Sequence, residues 1–541
     1  MLTNQAQPYS SVSANSLNQA PLTNDPNSAV ALYSDIQALQ IPLLQPIEFC
    51  NRPELHLEEA AKHYLPQSCY EENDAYQGRL KYAYSNFQPF YRSLKQIAIG
   101  TALRKPIVLA ENNNSPDWQE FLENVTLTGE SITNFAKRLL DASIDCGMAG
   151  IFIDYPMTEE GLNLAQEKAL ALRPYFSLIP MPDVLGWQAE NATTVIGDSA
   201  VYGTRLTQLR IRDTFTETDP DDEFRELSYP AVRVYDHQDP EQPVRWRLFV
   251  YRPETKNAPD KWVEQENGEL SINVIPFCPC YAGAPDAFMR GRPLMLDIAR
   301  LNLSHWQASA DLAHSLHLTS TPTLVVKGVQ NVGDSAGLEI SPDKSLILND
   351  PSAGADWIGA PSAGAQVTLE RLRELEEAMC NLAPVKMQKK STTGVEAAAA
   401  KKLDRAQSDS VLATIVDQLE KALNQAMAIA ALYWQRPVAS FDLPRDFLPG
   451  DVQPQELQQM AALNAAGLLS SETFLRWLGA NEVLDGLDEW SPEEELQTIE
   501  EETPAIDPND LPGNNPEAAP PTAEKPPEAD PTLDGQDPER S

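Results

Sequence analysis

Residues 294–326 read LMLDIARLNLSHWQASADLAHSLHLTSTPTLVV. Taken from Pro293 to His317, this is the strongest helical text in the chain. Leu294, Ile298, Leu301, Ala308, Leu312 and Leu316 recur at helical spacing and form one apolar stripe. At 1.5 Å per residue such a helix is about 37 Å long. The TSTPT break around Pro322 ends it, and Leu324–Val326 then reads as a short strand.

Further short strands are expected at Leu338–Ile340 and Leu346–Leu348, followed by a small-residue loop over 349–366. A second helix, 367–382, places Leu369, Leu372, Leu375, Met379 and Leu382 on one side. A break at 384–394 separates it from a long helical run over about 395–435. There Val411, Ile415, Leu419, Ala422, Ala426, Ala430 and Tyr433 form the stripe. Residues 453–488 read as two or three short helices, with Ser470 to Glu472 as a start signal for the one holding Phe474 and Trp477.

On the N-terminal side, 54–66 and 72–103 carry helical periodicity, and Pro89 should split the second. Residues 130–147 predict a helix capped by Ser131, with Ile132, Phe135, Leu139, Leu140 and Ile144 inward. The run Ala149–Asp154, bounded by Gly147 and Pro156, suits a buried strand. From about Arg173 to Tyr281 the text turns to strands: YFSLIP, QLRIRDTF, AVRVYDH, VRWRLFVY and INVIPF. The fold class is therefore α+β, with helices, a strand-rich block and long helices in that order.

The chain has 541 residues, a formal net charge of −38, and 44 prolines against 25 glycines. Such acidity disfavours tight binding to a phosphate backbone or an anionic membrane surface. Residues 491–541 hold 15 acidic residues against Lys525 and Arg540, with 11 prolines. That composition predicts a disordered tail. Residues 1–30, rich in Asn, Ser, Gln and Pro, should be loose, and the whole of 1–53 reads as a flexible arm. The start has no basic cluster and no apolar run, so no signal peptide is expected, and no 18-residue apolar run predicts a membrane span. The six cysteines, Cys50, Cys69, Cys146, Cys278, Cys280 and Cys380, read as buried free thiols, because Cys278 and Cys280 lack zinc or redox spacing.

Motifs that could carry chemistry are few. Gly333 to Gly337 (GDSAG) fits the nucleophile elbow of α/β-hydrolases, with Ser335 as nucleophile. His317 is the last histidine, so the base cannot follow in the required order, and a plain turn is expected. His305, His314 and His317 lie on the 293–317 helix without the companion ligands of a di-metal bundle, which favours structural histidines. Asp141 and Asp145 read as a solvated face in so acidic a chain. No P-loop or dinucleotide glycine motif occurs. No catalytic, cofactor or metal residue is therefore assigned, and the chain is not read as an enzyme. Lys386, Lys389, Lys390, Lys401 and Lys402, with Arg405, flank a Ser/Thr/Gly segment and are either a solvated helix end or a surface that loosely attracts DNA phosphates.

The opening stretch resembles a subgroup of tailed-phage portal proteins, in which PPLLDLAxLNLxHYxxSADxxxxLHxTxxPT is the most recognisable line. Other pieces agree in the same order: HYLP at 63–66, GMAGIFIDYP at 147–156, RPYFSLIPMPDVLGWQ at 173–188, IPF at 275–277 and AAAAKKLDRAQSDSVLATI at 397–415. The similarity spans about residues 54–435, and ELQQMAALNAAGLLSSETFLRWL at 456–478 resembles portal C-terminal helices. Arg292 stands where the family often has a second proline, and the acidic tail is unusually long. The resemblance implies a homo-oligomeric ring, typically a dodecamer, at one capsid vertex of a virion made in a host cytoplasm. It would conduct double-stranded DNA non-specifically during packaging and ejection, and would contact the major capsid protein, terminase and a head–tail adaptor. It further implies a wing and clip over 54–285, a stem helix over 293–317 carrying Leu294, Ile298, Leu301, His305, Leu312 and Leu316, and short strands and a loop over 318–366. Channel-to-wing helices would follow over 367–435, and a helical crown over 453–490. Another head–tail connector or capsid protein is the alternative reading, and a Ser335 hydrolase a more distant one.

Overall fold

The computed structural model describes residues 28–480 apart from 53–60, 62, 68, 111–114, 157–171, 197–198, 221, 254–258, 320–322, 328–353, 359–362, 386–394, 446 and 448–453, together with 495 and 498. The strands expected at 338–340 and 346–348, the Ser335 turn, the lysines at 386–390 and nearly all of the acidic tail lie outside the described residues. So does most of the 54–66 helix, of which 61, 63 and 64 are helical. The fold is mixed helix and sheet.

The described part of the arm is packed, contrary to the expectation of a flexible 1–53. Helices α1 (Asp35–Gln40) and α2 (Gln45–Asn51) flank a 3-10 turn and bury Gln37, Ile47, Phe49 and Cys50. Gln37 Nε2 donates to the carbonyls of Met181 (3.1 Å) and Val184 (2.6 Å), and the Tyr33 hydroxyl to that of Pro182 (2.9 Å). Elements this short carry little periodicity, and tertiary contacts order them.

Helices α3 (Asn73–Ser85) and α4 (Phe90–Ala102) separate at Pro89 as the sequence predicts. Helix α5 (Pro116–Glu123), opened by Pro at its first position, was not legible. Helix α6 (Ile132–Cys146) starts at Ser131, whose hydroxyl accepts from Asn134 N at 3.5 Å, and stops at Gly147 with φ +79°. All five of its expected inward residues are buried.

Strand β1 (Met148–Asp154) follows at once and is the centre of a three-stranded antiparallel sheet, between β2 (Tyr175–Pro180) and β8 (Phe277–Tyr281). It buries both faces. Ala149, Ile151 and Ile153 join the core made with the helices, and Met148 and Phe152 join a second core against the larger sheet. Gly150 lies directly beneath Phe277, and a Cβ there would overlap the ring. Gly150→Ala should therefore destabilise by about 1–3 kcal/mol. Pairing it with Phe277→Leu should cost less than the two changes summed, as measured by urea denaturation.

The larger sheet is a five-stranded antiparallel meander of β3 (Val184–Ile196), β4 (Ser199–Asp219), β5 (Asp222–Asp236), β6 (Arg245–Pro253) and β7 (Asp260–Glu269). Residues 272–276, expected as most of a strand, form bends instead. Ile272 and Ile275 are buried there, the Ile272 carbonyl accepts from Val244 N at 3.3 Å, and Pro276, lacking an N–H, gives its carbonyl to Ile153 N at 2.9 Å. Apolar text signals burial before it signals a strand.

Helix α7 (Leu296–Thr319) begins three residues after Pro293. Strand β9 (Thr323–Lys327) pairs antiparallel with β10 (Gly354–Ile358), so part of the expected 349–366 loop is strand. Small residues there mimic loop text, while the partner strand decides the conformation. Helix α8 (Ala363–Leu382) packs on α7, and α9 (Val395–Trp434) buries Ile415, Leu419, Ala422, Ala426 and Ala430, while Val411 is exposed. Within α8, Leu372, Leu375 and Met379 are buried, but Leu369 and Leu382, placed on the same side by spacing, are exposed.

A separate unit from Leu448 onward holds α10 (Pro454–Ala465) and α11 (Ser471–Ala480). Ser470 caps α11 by accepting from Thr473 N at 3.1 Å, as the sequence signal predicts.

Candidate functional site

Helix α7 is the natural place to begin, since it carries the residues expected of a stem. Its buried face is rotated from the leucine stripe. Met295, Leu296, Ile298, Ala299, Asn302, Leu303, His305, Trp306 and Ala310 are buried, whereas Leu294 and Leu316 are exposed and Leu301 and Leu312 are half-buried. Of the expected stem set, Ile298 and His305 alone are fully inward.

The polar residues on that face explain the rotation. Asn302 Oδ1 accepts from Tyr91 N (3.0 Å), one of the donors left unpaired in the first turn of α4 after Pro89. Its Nδ2 donates to the Gln88 carbonyl (2.9 Å). Trp306 Nε1 donates to the Ala83 carbonyl at the end of α3 (2.8 Å), and Gln307 Nε2 to that of Tyr64 (2.6 Å). These side chains tie α7 across the α3–α4 break. His305 places Nε2 3.4 Å from Glu376 on α8 and its ring edge-on to Phe90. Burial pushes its pKa down, against the opposing pull of Glu376. His314 and His317 lie against the ring of Tyr82. Among the described residues, no group of three or more His, Cys, Asp or Glu side chains could hold a metal.

Three ion clusters occupy the ground between the N-terminal arm, the helices and the sheets. Lys95 Nζ lies 2.8 Å from both Asp141 and Asp145, and Asp145 also accepts from the Tyr91 hydroxyl (2.7 Å) and Asn51 Nδ2 (2.8 Å). Asp145 is thus the centre of a largely buried cluster, which corrects the solvated reading for Asp145, whereas Asp141 does remain partly in solvent. The partners of Asp145 come from other helices, beyond the reach of local spacing. Burial raises the Asp145 pKa despite Lys95. In the second cluster Arg233 bridges Asp213 (2.6 Å) and Asp154 (3.9 Å), the latter bonded to the Tyr175 hydroxyl (2.9 Å). In the third, Arg212 Nη1 is 3.7 Å from Asp183, and Nη2 donates to the Tyr33 hydroxyl at 2.6 Å.

The first and third clusters border a cavity of about 390 Å³. Its cysteine, Cys146, is no nucleophile, because burial and then Asp145 push its thiol up and keep it protonated. Cys50, Cys278 and Cys280 are likewise buried, but Cys69 is exposed and Cys380 half-buried, contrary to the uniform expectation. Burial pushes Asp183 up to about 6. The folded state then binds more protons than the unfolded one between about pH 4 and 6, so stability falls as pH rises through that window. Asp183→Asn should flatten this slope in urea midpoints measured from pH 4 to 7. The change should be small, since 37 % of the side chain meets solvent.

Of the lysines expected near DNA, Lys401 and Lys402 lie in α9 and the others fall outside the described residues. Among the described residues, no helix is long and apolar enough to cross a membrane.

Residues 293–434, from just before α7 to the end of α9, match a domain of unknown function (DUF4055). No curated protein matches the chain. Among solved structures, a chain of the virion of a native gene transfer agent particle is 13% identical, covering 76% of this chain and 95% of that one, with a TM-score of 0.37. A chain of the neck of an empty gene transfer agent particle, computed with C6 symmetry, is 14% identical over 73% of this chain and 90% of that one (TM-score 0.37). One from the neck of the native particle, computed with C12 symmetry, is 13% identical over 76% and 93% (TM-score 0.35). Similarity at this level carries no weight for function, which rests on the residues of this chain.

Proposed function

We propose that this chain is a portal-type subunit, a non-enzymatic structural protein that closes into a ring at one vertex of a phage-like particle. The ring would conduct DNA and dock terminase, capsid and adaptor proteins. The observation that carries the reading is the apolar surface left on α7 and α8 although the two pack on each other. Leu316 is 49% exposed and Leu382 56%, and Val367 and Leu369 are exposed as well. Exposed apolar side chains on two long helices suit a surface that neighbours cover. Repeated head to tail round an axis, such a surface generates a closed ring. The ordered motifs over 54–435 point the same way. So does the acidity, which lets DNA slide past with few phosphate contacts. The lysines at 386, 389, 390, 401 and 402 would supply the loose attraction to DNA.

Negative-stain microscopy of the purified full chain tests this reading and should show rings. Leu316→Glu combined with Leu382→Glu should keep the helical circular dichroism but sediment as monomer. A wild-type chain that stays monomeric under every condition, or rings that survive both charges, would overturn the proposal.

A further inference from the structure

The hairpin of β4 and β5 runs on past the rest of its sheet. Strand β3 pairs with β4 only as far as Ile211, and β6 pairs with β5 only from Ala231 onward. Among the described residues, β4 from Arg212 to Asp219 therefore has β5 as its only ladder partner. At about 3.4 Å per residue, those eight residues of β4 span about 27 Å. The root of this ribbon is covered from β6, where Arg252 lies 3.4 Å from Glu217 and over the ring of Phe215. The far end is bare: every residue from Asp222 to Glu226 is exposed.

That end is nonetheless built. Thr218 pairs with Glu226, yet the next residue, Asp219, pairs with Asp222, so Glu223, Phe224 and Arg225 have no partner opposite. A bulge of this kind turns side chains out of the ladder. The Asp222 carboxylate accepts from Phe224 N at 3.0 Å, and Arg225 reaches back to Asp219 at 3.6 Å. These contacts brace the backbone on both sides of Phe224, whose side chain is 89% exposed. A lone apolar residue on a flat surface is ordinary. An aromatic ring at the apex of a braced projection is placed as the anchor of an interface is.

Charge defines what the apex fits. Residues 217–226 read ETDPDDEFRE, six acidic residues against Arg225, a net charge of −5. DNA phosphates and an anionic membrane are repelled. A second copy is a poor match as well, since the chain has 79 acidic residues against 41 basic ones. A cationic protein surface is complementary, provided that it also offers the ring an apolar recess.

We propose that the apex of the β4–β5 ribbon docks, with Phe224 as its anchor, into an apolar recess ringed by Lys and Arg on a protein other than this chain. This docking does not depend on ring closure.

Photo-cross-linking of the full chain, in the cells that make it, tests the contact. One protein carries p-benzoylphenylalanine in place of Phe224, and a control carries it in place of Tyr70, which is 96% exposed elsewhere. The probe at 224 should give one adduct with a different protein, on a peptide in which Lys and Arg outnumber Asp and Glu. Adding Glu223→Lys/Glu226→Lys should lower its yield about tenfold, because the apex then repels a cationic rim. Glu223→Asp/Glu226→Asp should leave the yield unchanged. Both glutamates are exposed, so the thermal midpoint should not move in either variant. No adduct at 224, an adduct only with further copies of this chain, or one on an acidic peptide would overturn the proposal. So would a yield indifferent to the lysines, or the same adduct from the probe at Tyr70.

Discussion

Lys95→Met should cost the folded protein about 3–5 kcal/mol, the range for removing one partner of a buried ion pair. The Lys95 side chain is 4% exposed, and its ammonium lies 2.8 Å from Asp145. Burial works against its charge, and Asp145 and Asp141 together more than offset this. Without Lys95, Asp145 keeps the Tyr91 hydroxyl and Asn51 amide but loses its counter-charge. It then takes up a proton, as its already raised pKa foreshadows. A raised carboxylate pKa means that the native state holds the extra proton above the ordinary value of 3.8, so stability is lost as pH rises through the folded pKa. Removing Lys95 widens that window upward. The deficit of the variant should therefore be larger at pH 8 than at pH 5, measured as the shift in urea midpoint. Adding Asp145→Asn should recover part of it, because a neutral amide keeps an acceptor for Tyr91 and needs no cation. An equal deficit at both pH values, with no rescue by the second change, would show that Lys95 acts by packing alone.

The same cluster marks the boundary of what the sequence discloses. Helix α6 was legible from end to end, because its cap Ser131, its apolar period and its stop at Gly147 are all local signals. The split of α3 from α4 was legible for the same kind of reason, proline being unable to continue a helix. Lys95 and Asp145, in contrast, meet only after two helices have packed. The N-terminal arm is ordered by Gln37 bonding to a turn more than 140 residues away. Strand β7, DKWVEQENGE, is an edge strand with exposed polar faces, so it lacks the apolar alternation that discloses β4 or β6.

The helix at the candidate site was legible, but the face it buries was not. Within the 294–326 text, Leu296–Thr319 does form a helix, yet counting leucines selects a face that is half open. The inward face uses Asn302 and Trp306 to satisfy backbone groups freed at Pro89 and at the end of α3. A hydrophobicity scale gives those residues little weight, and their partners lie more than 200 residues away. The two faces divide the work of α7. The polar one ties the helix to α3 and α4, and under the proposed ring the exposed leucines would meet a neighbour.

Trp306→Ala tests the inward half of that division and should destabilise by about 3–5 kcal/mol, the range for truncating a large buried aromatic. Trp306 is fully buried, packs with Phe49 at 4.9 Å and Phe87 at 6.1 Å between ring centres, and holds the Ala83 carbonyl. Truncation would open a cavity where α2, α3 and α7 meet and leave that carbonyl with only the Asn86 N–H at 3.3 Å. Trp306→Phe should cost less, because an aromatic ring is retained and the lost hydrogen bond is worth about 0.5–1.5 kcal/mol. If α7 is anchored in its own subunit by this face, both variants lower the urea midpoint of the monomeric Leu316→Glu/Leu382→Glu background as much as that of the wild type. If Trp306 acts mainly at contacts between subunits, its effect disappears in the monomer. Measuring the two backgrounds side by side separates these outcomes, and the enclosure of Trp306 by residues of the same chain favours the first.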